Sequence, residues 1–282
     1  MHFVMLVRLF IFCLLTSAVT CPLTLSQVSE SWAESRPVVF AAFEYGFTGP
    51  DRIPAGLITV QLVNKGMDLH HIQLVRLLEG KKADDFFAAL KADPSRFPAW
   101  IAFVGGPNAV IPGGESVATM QLAAGEYLLI CLIPDQKGLP HVAKGMAKPV
   151  VVTAGTFSPV EEPAVDLTIT QADFRFGLST PISVGTRTIR VINEGVQPHE
   201  VVVVKLAPGA TVKDFAAAFE PGASGPPPGK PIGGIVGMDH GGRAFFRTRF
   251  EAGQYGLLCF FPDPESGAPH VAKGMTLEFT VK

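Results

Sequence analysis

Residues 125–146 read GEYLLICLIPDQKGLPHVAKGM, and residues 253–275 read GQYGLLCFFPDPESGAPHVAKGM. Their closing heptapeptide, PHVAKGM, recurs without a substitution as Pro140 to Met146 and Pro269 to Met275. Working outward, other landmarks keep the same separation. Asn64 and Asn193, His70 and His199, Phe86 and Phe215, His141 and His270, and Met146 and Met275 each differ by 129 (for example 199 − 70). Cys131 and Cys259 differ by 128 (259 − 131), so one residue is lost before the cysteine and regained after it. A period this long exceeds a solenoid unit, so each copy reads as a whole domain. The expected organisation is one domain over 36–152, a linker over 153–163 (TAGTFSPVEEP, polar and unrepeated) and a second domain over 164–282.

Composition agrees with two folded domains. The chain has 282 residues, 48% hydrophobic and 17% charged, which argues against long disordered acidic or basic arms. Its 29 glycines and 24 prolines, with Val, Ile, Phe and Thr in short runs, point to an all-β fold of strands joined by turns. A formal net charge of −2 and the lack of a basic stripe give no basis for nucleic-acid binding.

Residues 1–22 place Arg8 before an apolar stretch and then small residues, the layout of a secretory signal. The expected location is periplasmic or secreted. An uncleaved anchor is the alternative, and no other segment reads as a membrane span. Cys13 and Cys21 fall in or beside this signal, leaving one cysteine per half. No disulfide can then form within either half, and metal ligation would account for a lone thiol in an oxidising compartment.

Strands are expected at Val38 to Phe43, Leu57 to Val63, His71 to Leu77, Val117 to Leu122, Tyr127 to Cys131 and Pro149 to Val152. The second copy offers Val165 to Thr170, Thr188 to Ile192, Glu200 to Leu206, Arg243 to Phe250, Tyr255 to Phe260 and Leu277 to Val281. Thr188, Ile189, Arg190 and Val191 alternate polar with apolar, as a half-buried strand requires. Each copy adds one short helix, around Ala83 to Ala92 and around Thr211 to Glu220. Phe86 with Leu90 and Phe215 with Phe219 mark one apolar face in each. Thr211 with Asp214 resembles a capping box, Pro221 should stop the helix, and PGASGPPPGKP (221–231) reads as a surface loop.

Both copies hold four soft or borderline donors in one order: His70, Cys131, His141, Met146, and His199, Cys259, His270, Met275. A thiolate, two imidazoles and a thioether suit copper cycling between two oxidation states. Singly, such residues are more often a buried small hydrophobe or a solvated loop histidine; their repetition in order favours the metal reading.

Here the chain resembles the cupredoxin, or blue-copper, family. NKGMDLHHIQLV and NEGVQPHEVVVV look like its loop from Asn to the first His ligand. GEYLLIC and GQYGLLC look like its Gly-x-Tyr-x-x-x-Cys strand, and CLIP and CFFP followed by HVAKGM look like its closing ligand segment. The resemblance implies two Greek-key β-sandwiches, each with up to one copper ion at one end. It implies His70, Cys131, His141 and Met146, and His199, Cys259, His270 and Met275, as ligands. Asn64 and Asn193 would stand behind them, pinning the Cys-bearing loop.

One departure from the family is length. Cys and His are separated by 9 residues in the first copy (132 to 140) and by 10 in the second (260 to 269), where the family leaves only a few. PDQKGLP and PDPESGAP are turn formers, so a hairpin excursion is expected to bring each His back to its Cys. His71, aligned with Glu200, and His240 are expected as surface or loop residues, and Lys144 and Lys273 as solvated surface. Val142, Ala143, Val271 and Ala272 fit a loop histidine emerging through an apolar face.

The expected function is one-electron exchange with a redox partner protein. The alternatives are a copper carrier or scavenger working with a copper donor or acceptor, and a metal-free sandwich for adhesion or assembly. Paired His-x-His and His-Cys-His motifs are missing and extra histidines are few, so a non-enzyme is expected.

Overall fold

The computed structural model describes residues 36–94, 96–155, 161–220 and 222–282. The signal expected over 1–22 and the middle of the expected linker lie outside the described residues. The first half runs β1 (Val38–Phe43), β2 (Gly46–Thr48), β3 (Arg52–Pro54), β4 (Gly56–Asn64), β5 (Gln73–Leu77), α1 (Ala83–Ala92), β6 (Ile101–Phe103), β7 (Glu115–Leu122), β8 (Gly125–Ile130) and β9 (Ala147–Thr153). The second runs β10 (Leu167–Ala172), β11 (Arg175–Leu178), β12 (Gly185–Asn193), β13 (His199–Leu206), α2 (Val212–Ala217), β14 (Gly229–Met238), β15 (Arg243–Phe250), β16 (Gly253–Leu258) and β17 (Thr276–Val281). The fold is all-β, as expected. Among the described residues no helix is long and apolar enough to cross a membrane.

Alternation drives the layers. In β4, Ile58, Val60, Leu62 and Asn64 are buried and the residues between them are not. One five-stranded sheet, ordered β3-β9-β8-β5-β6, belongs to the first half, and one four-stranded sheet, β14-β13-β16-β17, to the second. The third sheet runs through both, in the order β11-β10-β12-β15-β7-β4-β1-β2. Its junction is the antiparallel pair β15 with β7, where Ala244 faces Met120 and Phe246 faces Ala118. Joining two sheet edges satisfies backbone groups that each half alone would leave open. One continuous core, from Phe40 and Leu62 to Ile189 and Phe246, follows from that junction.

The halves also meet along β14. Asn108 is a buried plug whose Nδ2 donates to the Val201 and Ile235 carbonyls, both at 3.1 Å. Gln73 Nε2 donates to the Gly237 carbonyl at 2.9 Å. The sequence reading did not find β14, and it assigned Gly229 to Pro231 to a surface loop. Pro231 is tolerated because β14 is an edge strand of its sheet.

The helices are placed as expected, although α2 ends at Ala217, well short of Glu220. Thr211 and Asp214 form the capping box: the Asp214 amide donates to Thr211 Oγ1, and the Thr211 amide donates to Asp214 Oδ2. The tyrosine of each Gly-x-Tyr strand is buried, and its hydroxyl donates back four residues, Tyr127 to the Ala123 carbonyl and Tyr255 to the Glu251 carbonyl. These ties hold β8 and β16, the two strands that deliver the cysteines.

Candidate metal centres

β8 ends at Ile130 and β16 at Leu258, so Cys131 and Cys259 stand one residue past the strands that were expected to contain them. The chain then makes the hairpin that the Pro- and Gly-rich segments imply. In the first half the Asp135 amide donates to the Leu139 carbonyl, Pro134 bridges Pro140, and the His141 amide donates to the Ile133 carbonyl at 3.0 Å. In the second, Asp263 to Ala268, Pro262 with Pro269, and His270 to Phe261 at 2.9 Å repeat the pattern. The extra residues are absorbed in the hairpin tips, so the two necks carry the same backbone bonds and bridges.

Each neck hands the chain to a short 3-10 turn, His141–Lys144 and His270–Lys273. Gly145 and Gly274 close these turns at φ 95° and 93°, a left-handed conformation that disfavours any side chain. Met146 and Met275 follow, fully buried. The Met146 amide donates to the His141 carbonyl and its own carbonyl accepts from the Cys131 amide; Met275, His270 and Cys259 do the same. The repeated heptapeptide is thus the backbone clamp that joins His, Met and Cys.

Candidate ligand atoms of His70, Cys131 and His141 all lie within 4.8 Å of one another, and so do those of His199, Cys259 and His270. Cys131 Sγ is 3.6 Å from His141 Nδ1, and Cys259 Sγ is 3.5 Å from His270 Nδ1. All six residues are at most 1% exposed. The loop histidines therefore do not emerge through an apolar surface, contrary to expectation.

Two carboxylates that the sequence reading missed orient the upstream imidazoles. His70 Nε2 donates to Glu44 Oε1 at 3.1 Å, and His199 Nε2 donates to Asp173 Oδ1 at 2.8 Å. With the ring proton on Nε2, Nδ1 turns a lone pair towards the cysteine. Burial opposes ionisation of Glu44, but amide donors at Asp68 and Met67 bring it down to about 2, so it stays an anion. Glu44 and Asp173 share the 129-residue offset (173 − 44), which is the signal that could have exposed them.

Gly66 and Gly195 make these contacts possible. A Cβ at Gly66 would lie 2.4 Å from Glu44 Oε1 and 2.6 Å from His70 Nε2, and one at Gly195 would lie 2.5 and 2.6 Å from the equivalent atoms.

Asn64 and Asn193 pin a different loop from the one implied. Asn64 Nδ2 donates to the Asp68 and Val110 carbonyls, and Asn193 Nδ2 to the Gln197 and Met238 carbonyls. The loop they hold is their own, leading to the upstream histidine rather than to the cysteine.

Two further expectations are corrected. His71 is buried, and its Nε2 accepts from the Leu132 amide at 2.8 Å; aligned Glu200 accepts from the Phe260 amide at 2.9 Å. Both side chains therefore secure the residue directly after a cysteine. Lys144 and Lys273 are ion-paired with Asp135 and Asp263 of the hairpins, so they brace the Cys-to-His excursion rather than lie free on the surface. His240 is, as expected, an exposed loop residue; its Nδ1 donates to the Gly195 carbonyl at 2.8 Å.

The donor sets fit a soft cation. Burial pushes the Cys131 thiol up to about 12 and the Cys259 thiol well above its ordinary value, so each stays protonated until a cation replaces the proton. In the second centre His270 Nε2 donates to Gln197 Oε1 at 2.9 Å while His199 Nε2 is held by Asp173. Two Nδ1 lone pairs then face each other at 2.9 Å, an arrangement that repels without a cation between them. In the first centre His70 Nδ1 and His141 Nε2 are buried with no hydrogen-bond partner among the described residues.

No protein-family model and no curated protein matches the chain. Solved structures do. Dithionite-reduced auracyanin from Roseiflexus castenholzii is 23% identical, covering 41% of this chain and 94% of its own, with a TM-score of 0.30. Blue Copper Oxidase from Nitrosomonas europaea is 14% identical over 86% of this chain and 84% of its own, TM-score 0.26. The copper-containing nitrite reductase of Thermus scotoductus is 13% identical over 86% of this chain and 61% of its own, TM-score 0.25. The last two are enzymes that match across both halves, so the expectation of a non-enzyme, which rested on missing motifs, is withdrawn. By its paired sandwiches and its two buried His-Cys-His groups, the chain is a tandem cupredoxin-like protein suited to copper, up to two ions.

Proposed function

We propose that the chain is exported and that each centre takes one copper ion for one-electron transfer. The ligands are His70, Cys131, His141 and Met146 in one centre and His199, Cys259, His270 and Met275 in the other. The carrying observation is the convergence of two imidazoles and a thiol within 4.8 Å in both halves, on a buried and hydrogen-bonded frame. Bound copper would supply the one-electron couple. The chain's own residues supply rigidity: Glu44 and Asp173 fix ring tautomers, the hairpin necks fix the Cys-to-His separation, and burial keeps water from the sulfur. Little then has to move when charge changes, and small reorganisation favours fast exchange.

Since the loop histidines are covered, a redox partner would approach over Met67 and Val196. Both are 82% exposed, and each directly follows the glycine that touches an upstream imidazole.

The test is to express the full chain, supply copper, and measure metal per chain alongside the visible spectrum. Two ions per chain and an intense thiolate-to-copper band are expected. A chain that takes up no copper, or a spectrum without that band, overturns the reading. Cell fractionation of the full-length product checks export.

A further inference from the structure

We propose that the cavity between the two halves binds a small uncharged aromatic molecule carrying a hydrogen-bond-accepting oxygen, held against the Cys-to-His hairpins of both centres. The cavity measures about 500 Å³, within the usual range for small-molecule sites. Its walls are largely apolar and include five aromatic rings, Phe97 from the first half and Phe215, Phe219, Phe260 and Phe261 from the second. Such rings offer faces and edges to one or two rings of a ligand.

The polar lining selects the rest of the molecule. Asn108 spends its Nδ2 on Glu200 Oε2 and two carbonyls, and Glu200 Oε1 accepts from the Phe260 amide. His71 is different. It is 6% exposed, and its Nε2 accepts from the Leu132 amide, which places the ring proton on Nδ1. That N–H finds no acceptor among the described residues. His71 lines the cavity, so a ring N–H without a protein acceptor favours an occupant that brings one, which a cation lacks. Glu200 keeps its proton up to about pH 7 and the one cationic lining residue, Arg96, is exposed, so an anion would lose its water to largely apolar walls, which leaves an uncharged acceptor as the better fit.

The position gives the site its interest. Leu132 and Phe260 directly follow the two cysteines, and the neck prolines Pro134, Pro140, Pro262 and Pro269 all line the cavity. An occupant would touch the segments that set both sulfur-to-imidazole distances. The proposal does not rest on the copper reading, because binding can be followed with or without metal.

The experiment is ligand-detected NMR titration of the full chain, metal-free and copper-supplied, with acetophenone, ethylbenzene and benzoate. Acetophenone should saturate with Kd below ~1 mM. Ethylbenzene, lacking the acceptor, should bind roughly fivefold to tenfold more weakly, and benzoate should not bind. Leu90→Trp, which fills part of the cavity, should abolish binding of both neutral probes. His71→Met should reduce acetophenone to the level of ethylbenzene. His71→Gln, which keeps an acceptor for Leu132 and a donor for the ligand, should restore the preference. Failure of acetophenone to saturate, saturation that survives Leu90→Trp, or an acetophenone preference untouched by His71→Met would overturn the proposal.

Discussion

In the second centre both imidazoles are held at the ring edge away from the sulfur, His199 by Asp173 and His270 by Gln197, whereas in the first only His70 is so held, by Glu44. His141 leaves its Nε2 buried without a partner among the described residues. The rings follow suit, with centroids 4.7 Å apart in the second centre and 5.1 Å in the first. One ligand set can therefore be restrained to two degrees within one chain. Hydrogen bonds behind the ligands, more than the ligands themselves, should separate the two affinities and potentials.

The largest expected effect tests whether the centres are separate at all. Cys131→Ser and Cys259→Ser should each lower copper from two ions per chain to one and remove about half of the thiolate-to-copper absorbance. A hydroxyl is a hard donor that does not replace the thiolate. Loss of both ions from a single substitution would show that the centres load as a unit and would break the comparison.

Next in size is the pH dependence of stability in the metal-free chain, where the halves should oppose each other. Burial, partly offset by hydrogen bonds from the Phe260 amide and Asn108, raises Glu200 to about 7 from an ordinary 4.5. From pH 4.5 to 7 the unfolded chain ionises this group while the folded chain keeps its proton, so stability falls as pH rises and then levels off. Burial, with smaller contributions from His141 and His70, lowers His71 to about 3 from 6.5. Its unfolded form gains a proton first, so stability falls as pH drops from 6.5 towards 3. Denaturant unfolding across pH should therefore show Glu200→Gln removing the fall between pH 4.5 and 7, a difference of ~2–3 kcal/mol by pH 8. His71→Gln should flatten the acid side. A parallel shift at every pH would mean that packing, rather than ionisation, sets the difference.

Third, Glu44→Gln and Asp173→Asn should weaken copper binding at their own centres, by roughly 10- to 100-fold for a group behind a ligand. Glu44→Gln should cost more. Its centre has no second restraint, while Asp173→Asn leaves Gln197 in place. Competition with a chelator of known affinity measures both, and equal losses would show that the Gln197 bond contributes little.

How much of this was legible follows from particular residues. Ligand order could be read because His, Cys, His and Met recur at nearly constant separation, and the hairpins because Pro and Gly concentrate between Cys and His. β14 could not. Pro231 and four glycines (229, 233, 234 and 237) oppose strand formation locally, and pairing with β13 overrides them. The need for glycine there is tertiary: a Cβ at Gly234 would lie 2.0 Å from the Val201 carbonyl oxygen. His71 looked like a surface residue because part of what buries it, the cavity lining, comes from the other half. Glu44 and Asp173 were passed over because a carboxylate in a polar turn is usually solvated. Only the close approach of Gly66 and Gly195 gives them another role, and their differing residue types hid the shared offset. Asn64 and Asn193 were found as residues, but the loop they hold is fixed by carbonyls that a sequence does not position.

The smallest expected effect is also the most direct use of the comparison. Gln197 and Asp68 occupy equivalent positions (197 − 129 = 68), and their backbones behave alike. Each amide donates to the carboxylate behind the upstream histidine, and each carbonyl accepts from the asparagine of its loop. Only the side chain differs. Gln197 donates through Nε2 to Asp263 and accepts at Oε1 from His270, and Asp135 stands in the first half where Asp263 stands in the second. Asp68→Gln should therefore find both partners already in place, giving His141 Nε2 an acceptor and directing its Nδ1 lone pair at the sulfur. One neutral hydrogen bond contributes about 0.5–1.5 kcal/mol, so copper should bind the first centre roughly twofold to tenfold more tightly. Chelator competition in a Cys259→Ser background isolates that centre. Unchanged or weaker binding would mean that the loose imidazole is not what distinguishes the two centres, and the difference would then have to lie in the packing of Tyr45 against His141 and Phe174 against His270.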